Sequence, residues 1–166
     1  SSIHQNYWKY KKKFQFKKKK IPAHQIKEWK SILKKLVSRK KVALDVGCGK
    51  GIISHAISQL GVKKIYSFDV NLADKLKIKS KKIIFFKNDF ENFEKNEIIK
   101  DKKFDLIMLM GVLEHAYNPE NLIKKLKMLM TKKSKMIIMV PNSEWLQINF
   151  LKNFAWCIEA PFHRTL

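Results

Sequence analysis

Arginine is nearly missing from this chain of 166 residues. Of 36 basic residues only Arg39 and Arg164 are not lysine, against 14 acidic residues, for a net charge of +22. Arginine supplies the bidentate and stacking contacts by which proteins read bases, so its scarcity argues against a module built for sequence-specific readout. Much of the lysine excess, alongside abundant Ile, Asn and Phe, is what a genome biased towards A and T would write onto a solvated surface. Cysteine is scarce too: Cys48 and Cys157 give neither a disulfide framework nor a zinc-ligand spacing. A reducing compartment follows, the cytoplasm first and the mitochondrial matrix as the alternative. No apolar run approaches the 18 or more residues of a membrane span, and no secretory h-region is present. Hydrophobic content of 45% is ordinary for a globular chain, and the length suits one domain.

What is there begins with Val42-Ala43-Leu44-Asp45-Val46-Gly47-Cys48-Gly49-Lys50-Gly51. The first five residues read as a short strand buried on both faces, apolar but for one acid. The glycines at alternate positions then turn the chain into a helix and let its backbone come close to a ligand. The amides that open that helix would point at something polar or anionic. The dinucleotide fingerprint is G-x-G-x-x-G; here the third glycine comes one residue early and an acid precedes the first. Further strands are predicted over Lys64 to Phe68, Ile83 to Lys87, Phe104 to Met110 and Met136 to Val140, each ending in polar residues: Asp69, Asn88-Asp89, Gly111 to His115, and Asn142. Such strand ends lie on the carboxyl edge where open α/β sheets bind ligands.

The Asp-x-Gly-x-Gly-x-Gly run resembles motif I of the class I S-adenosylmethionine-dependent methyltransferases, and the succession of strand ends extends the resemblance along residues 42 to 142. The Leu113-Glu114-His115 sequence after the fourth strand is similar to that of ubiquinone-biosynthesis O-methyltransferases. The resemblance implies an α/β fold with a Rossmann-like, doubly wound parallel sheet and S-adenosyl-L-methionine as cofactor. It implies that Gly47, Gly49 and Gly51 bracket the methionine part, that Asp45 helps fix its ammonium group directly or through water, and that Asp69 binds the ribose. Asp89 and the backbone of Phe90 would hold the adenine, and Met110 and Gly111 would offer carbonyls near the ammonium. Asp89 has a plainer reading as the cap of a turn. His115 would act as general base for a hydroxyl acceptor, with Glu114 beside it; a structural role for the pair stays open. Relatives that bind a divalent metal carry a Glu where this chain has Gly111, so no metal site is expected.

Residues 1–20 interleave Tyr7, Trp8, Tyr10, Phe14 and Phe16 with lysines, and residues 1–41 carry +14 of the net charge. This basic arm reads as a solvated tail, as a strip for RNA or an anionic membrane surface, or as the remnant of a targeting segment. The remainder, 21–166, reads as the methyltransferase domain. Apolar residues at helical spacing predict helices over Pro22 to Val37, Ile52 to Leu60, Pro119 to Met130 and Ser143 to Phe154. The segment between Asp69 and the third strand leaves room for only a compact crossover. Only five strands are found, where the family fold ends in an antiparallel hairpin of two more. The domain thus reads as incomplete at its C-terminal side, either as a fragment of a longer enzyme or as a shortened descendant whose open sheet edge a partner would cover. The expected function is methyl transfer to a small-molecule or quinone-type lipid-precursor hydroxyl; the missing Asn/Asp-Pro-Pro-Tyr or Phe motif of amino-group methyltransferases tilts towards an O- or a C-methyltransferase without choosing the acceptor. The competing expectation is a methyltransferase-fold subunit with little or no catalysis that sits on RNA inside a ribosome-like assembly.

Overall fold

A computed structural model describes residues 22–37, 41–72 and 80–141. The basic arm over 1–20, most of the short crossover after Asp69, and the helix expected over Ser143 to Phe154 lie outside the described residues. Five strands, β1 (Val42–Val46), β2 (Lys64–Asp69), β3 (Ile83–Lys87), β4 (Phe104–Met110) and β5 (Met130–Met139), form one sheet in the order β3-β2-β1-β4-β5. Every neighbouring pair is parallel. Helices α1 (Ala23–Leu33), α2 (Ile52–Gln59) and α3 (Pro119–Met128) complete the α/β doubly wound arrangement.

The strands are apolar because both faces of the sheet are covered. On one face Leu44, Val46, Phe68, Ile107 and Leu109 pack with Leu122 and Leu126 of α3 and with Phe93 and Ile99 of the β3–β4 connection. On the other, Ala43, Ile65, Leu106 and Met108 pack with Leu33, Val37, Ile53 and Ile57 from α1 and α2. Side chains alternate along a strand, so Asp45 faces the α2 side with Ala43. The chain leaves β1 and β4 towards opposite faces. Their adjacent carboxyl ends therefore flank the crevice where doubly wound sheets bind ligands.

Two boundaries differ from the pattern in the sequence. Helix α1 stops at Leu33, and Lys34 to Leu36 form a turn that leaves Leu36 40% exposed instead of extending the buried stripe. Helix α3 starts as expected, with Asn118 Oδ1 accepting the Asn121 N–H at 2.9 Å and Pro119 in the first turn. It ends at Met128, and β5 begins at Met130, six residues before the apolar run. The register slips there: Phe104 pairs with Met130, whereas Leu106 pairs with Lys135. Ser134 stitches the excursion, its Oγ donating to the Phe104 carbonyl at 2.6 Å and accepting the Thr131 N–H at 2.8 Å. Hydroxyl bonds to backbone, which hydropathy does not show, thus extend the strand through Thr131 to Ser134.

One acid absent from the motif reading fixes the start of β1. Asp105 Oδ2, on the neighbouring strand β4, accepts the N–H groups of both Lys41 and Val42 at 2.9 Å. Hydrogen bonds to an ionised group contribute about 1.5–3 kcal/mol. Asp105→Ala should therefore lower unfolding stability by about 2 kcal/mol in urea titrations, whereas Asp105→Asn, which keeps one carbonyl oxygen for both amides, should lose less than half of that.

Candidate functional site

At the carboxyl end of β1 the chain passes through Gly47, Gly49 and Gly51, at φ +67°, +51° and +73°. Two of these glycines are needed for different reasons. A Cβ on Gly47 would lie 2.5 Å from Val112 Cγ2 and 3.4 Å from Phe90 Cζ, so that glycine admits side chains from two other strand exits. A Cβ on Gly49 would meet nothing within 4 Å. With positive φ on both sides of it and open space above it, Gly49 forms the bare floor of a hollow.

Asp69, the last residue of β2, closes that hollow on one side. Its Oδ2 accepts the Gly49 N–H at 2.9 Å, and its Oδ1 accepts the Asn71 N–H at 2.8 Å. The Cys48 N–H donates to the Phe68 carbonyl at 3.0 Å, so the turn is tied to β2 at two successive amides. A carboxylate has about four lone-pair sites, and half-exposed Asp69 spends two of them here. Both oxygens keep capacity for outside donors.

Asp45 occupies a different place from the one expected for a ligand contact. It is 1% exposed, turned under the glycine turn onto α2. Ser54 Oγ donates to Asp45 Oδ2 and lies 2.8 Å from Ser67 Oγ on β2. Asp45, Ser54 and Ser67 thus link β1, α2 and β2 below the hollow. Burial pushes the Asp45 carboxyl up to about 7, opposed by its hydrogen bonds from Ser54 and helped by the negative charge of Asp69. Cys48 is buried between the glycines, and burial drives its thiol far above the ordinary thiol range, which fits an inert filler.

The remaining expected residues converge on the same edge. Asp89, after β3, is exposed, and its Oδ1 accepts the N–H groups of Glu91 and Asn92 at 2.9 and 2.8 Å; the turn-capping reading is thus realised in that oxygen. Phe90 lays its ring 6.1 Å from that of Phe68 and reaches Gly47. Met110 ends β4, and the Gly111 N–H donates to the Met139 carbonyl at 2.9 Å. A 3-10 turn over Leu113–His115 follows, with buried Glu114 folded back so that its Oε1 lies 3.5 Å from where a Gly111 Cβ would stand. His115 is half-buried. Asn88, named as a polar strand end without a role, donates its N–H to the Asp69 carbonyl at 3.3 Å, and its Nδ2 is buried with no acceptor among the described residues. Ser54 and Ser67 were missed by the motif reading; two buried serines carry no motif of their own. Among the described residues no group of His, Cys, Asp and Glu could hold a metal ion.

A family model described as a methyltransferase domain matches residues 22–165. The mitochondrial ubiquinone biosynthesis O-methyltransferase of Dictyostelium discoideum is 30% identical over 96 residues, covering 48% of this chain and 29% of that protein. Its counterpart from Glaesserella parasuis is 36% identical over 98 residues, 54% of this chain and 41% of that one. The tRNA U34 carboxymethyltransferase of Campylobacter hominis is 30% identical over 118 residues, 60% of this chain and 38% of that one. The chain therefore spans less than half the length of these curated relatives. Among solved structures, the plantazolicin methyltransferase BpumL in complex with a pentazolic desmethylPZN analog and SAH matches with TM-score 0.61 at 21% identity, covering 79% of this chain and 51% of that one. This last likeness is one of fold.

The buried carboxyl makes a pH prediction. In the native state Asp45 holds its proton up to about pH 7, whereas an unfolded aspartate releases it near 3.8. Between those values the native state binds the extra proton, so Asp45's contribution to stability falls as pH rises from about 4 to about 7 and is level above. Asp45→Asn removes this slope. Urea midpoints measured at intervals over that range should show the variant gaining on the wild type as pH rises; a constant difference would contradict the assignment.

Proposed function

The chain belongs to the methyltransferase-domain family, and from that premise we propose that its carboxyl-edge hollow binds S-adenosyl-L-methionine, the methyl donor of this family, for transfer to a hydroxyl acceptor. The observation that carries the reading is the open floor at Gly49 with the Asp69 carboxylate bonded to it. Those residues fit a nucleoside: a bare backbone admits it closely, and the unspent lone pairs of Asp69 suit two vicinal hydroxyls. When bound, the cofactor supplies a sulfonium-activated methyl group, so the protein's work is placement and proton handling.

In this reading Gly47 and Gly51 shape the turn around Gly49, and Asp45 supports it from beneath through Ser54 instead of facing the ammonium. Phe90 walls the adenine side against Phe68, with Asp89 at the rim. The Met110 and Gly111 carbonyls line the methionine end, where β4 meets β1. His115 would accept the proton released by the acceptor hydroxyl, and buried Glu114 precedes it in the same 3-10 turn. A small-molecule or quinone-type lipid-precursor hydroxyl is supported by Leu113-Glu114-His115 and by the two O-methyltransferase relatives. A tRNA-directed acceptor is the second reading, supported by the two tRNA U34 carboxymethyltransferase relatives, each matched over 60% of this chain.

Calorimetric titration with S-adenosylhomocysteine tests the cofactor reading. Wild type should bind, and Asp69→Ala should weaken binding at least about 30-fold, equivalent to about 2 kcal/mol. Gly49→Ala should abolish binding while costing only about 1–2 kcal/mol of stability for its left-handed backbone. Unchanged affinity in both variants would reject the site.

A further inference from the structure

The edge of the sheet opposite the hollow has a regularity of its own. Lys41 immediately precedes β1, Lys63 precedes Lys64 at the start of β2, and Lys81 and Lys82 precede β3. Lys102 and Lys103 precede β4, and Lys132 lies in the excursion where β5 joins it. Four of the five described strands, β1 to β4, are thus entered through lysine. Register aligns the first three: Val42 lies opposite Lys64, and Ile65 opposite Ile83, so Lys41, Lys63 and Lys81 share one level across adjacent strands. All three are exposed and make no ion pair among the described residues.

Part of this pattern serves the fold. In a parallel α/β sheet the helices end at this edge with their carbonyls outward, and cations suit those ends. Lys82 Nζ donates to the Ser58 carbonyl at 3.3 Å, Lys103 Nζ donates to the Met128 carbonyl at 2.5 Å, and Lys102 stands 5.5 Å from the centre of the Tyr66 ring. Those roles leave Lys41, Lys63 and Lys81 unexplained. Of the acids here, Glu97 is paired with Lys100 at 2.7 Å, and Asp105 keeps its charge against the backbone amides of Lys41 and Val42, so the three lysines still outnumber it.

We propose that this amino edge is a docking surface for the sugar–phosphate backbone of a nucleic-acid strand. Neighbouring strands stand about 4.8 Å apart, so the lysines form a line of charge and not a plane. That shape matches a polyanion whose charges succeed one another every ~3.4 Å along a strand. Lysine without arginine gives point-charge contacts to phosphate and no bidentate contacts to base edges, so binding is independent of sequence. A bilayer surface suits the edge less well: among the described residues, Ile32, Leu36 and Met128 are exposed large apolar side chains, and the one exposed aromatic, Tyr117, lies beyond β4 at the carboxyl edge. The strands put roughly 15–20 Å between this edge and the hollow. The surface therefore tethers the protein and does not deliver the methyl acceptor, and it stands whether or not the cofactor reading holds.

The test is fluorescence anisotropy of the full chain with a labelled oligouridylate of about 20 nucleotides, between about 50 and about 200 mM salt. Changing Lys41, Lys63 and Lys81 together to Glu should lower affinity at least about tenfold. Changing them together to Gln, which spares the fold from charge reversal, should reduce the log–log salt slope by about 2. The same Glu changes at Lys27, Lys95 and Lys124, exposed elsewhere on the molecule, should cost less than about threefold. Equal losses in the two Glu triples, an unaffected edge triple, or wild-type binding to phosphatidylglycerol vesicles but not to the oligouridylate would each overturn the proposal.

Discussion

The bond from the Gly49 N–H to Asp69 Oδ2 is the constraint on which the site depends. It joins the turn after β1 to the end of β2, so the floor of the hollow and its carboxylate wall are one rigid unit. A carboxylate held by two backbone amides keeps its orientation at no cost when a ligand arrives. Below it, Ser54 bridges Asp45 and Ser67, tying the helix that follows the turn to both strands. These polar links are buried, where their partners cannot be exchanged for water without loss. The geometry of the hollow is therefore set by the fold before anything occupies it.

The molecule is also polarised. Parallel strands put all their carboxyl ends on one side, and here Asp45, Asp69, Asp89 and Glu114 gather there. The opposite ends carry lysine pairs beside the helix C-termini. Of these acids only Asp69 and Asp89 reach the surface, beside the exposed Lys50 and Lys87.

Much of this was legible in the sequence because the informative features are local. Three glycines in five residues require a positive-φ turn, and apolar β-branched runs fixed five strands within a residue or two, save β5. That strand was misjudged because Ser134 and Thr131 hold their segment by hydroxyl bonds to backbone and to each other. Leu36 was misjudged because helical periodicity continues past the point where α1 turns towards β1. In the site, Asp69 and the glycines were readable from spacing, whereas the burial of Asp45 was not: an acid's direction depends on which serine lies across from it. Asp105 escaped notice for the same reason, since its partners lie 64 and 63 residues away in sequence. The alignment of lysines at one edge appears only when strand register is known.

The central claim is that the glycine turn and Asp69 form a nucleoside-shaped hollow. Its most direct test is amide chemical-shift mapping of the isotopically labelled chain titrated with S-adenosylhomocysteine. The account predicts saturable shifts concentrated at Gly49, Lys50 and Asp69, with smaller ones at Phe90 and Gly111, and silence at Lys41, Lys63 and Lys81. Saturable shifts that spare Gly49 and Asp69, or no shifts at all, would contradict it.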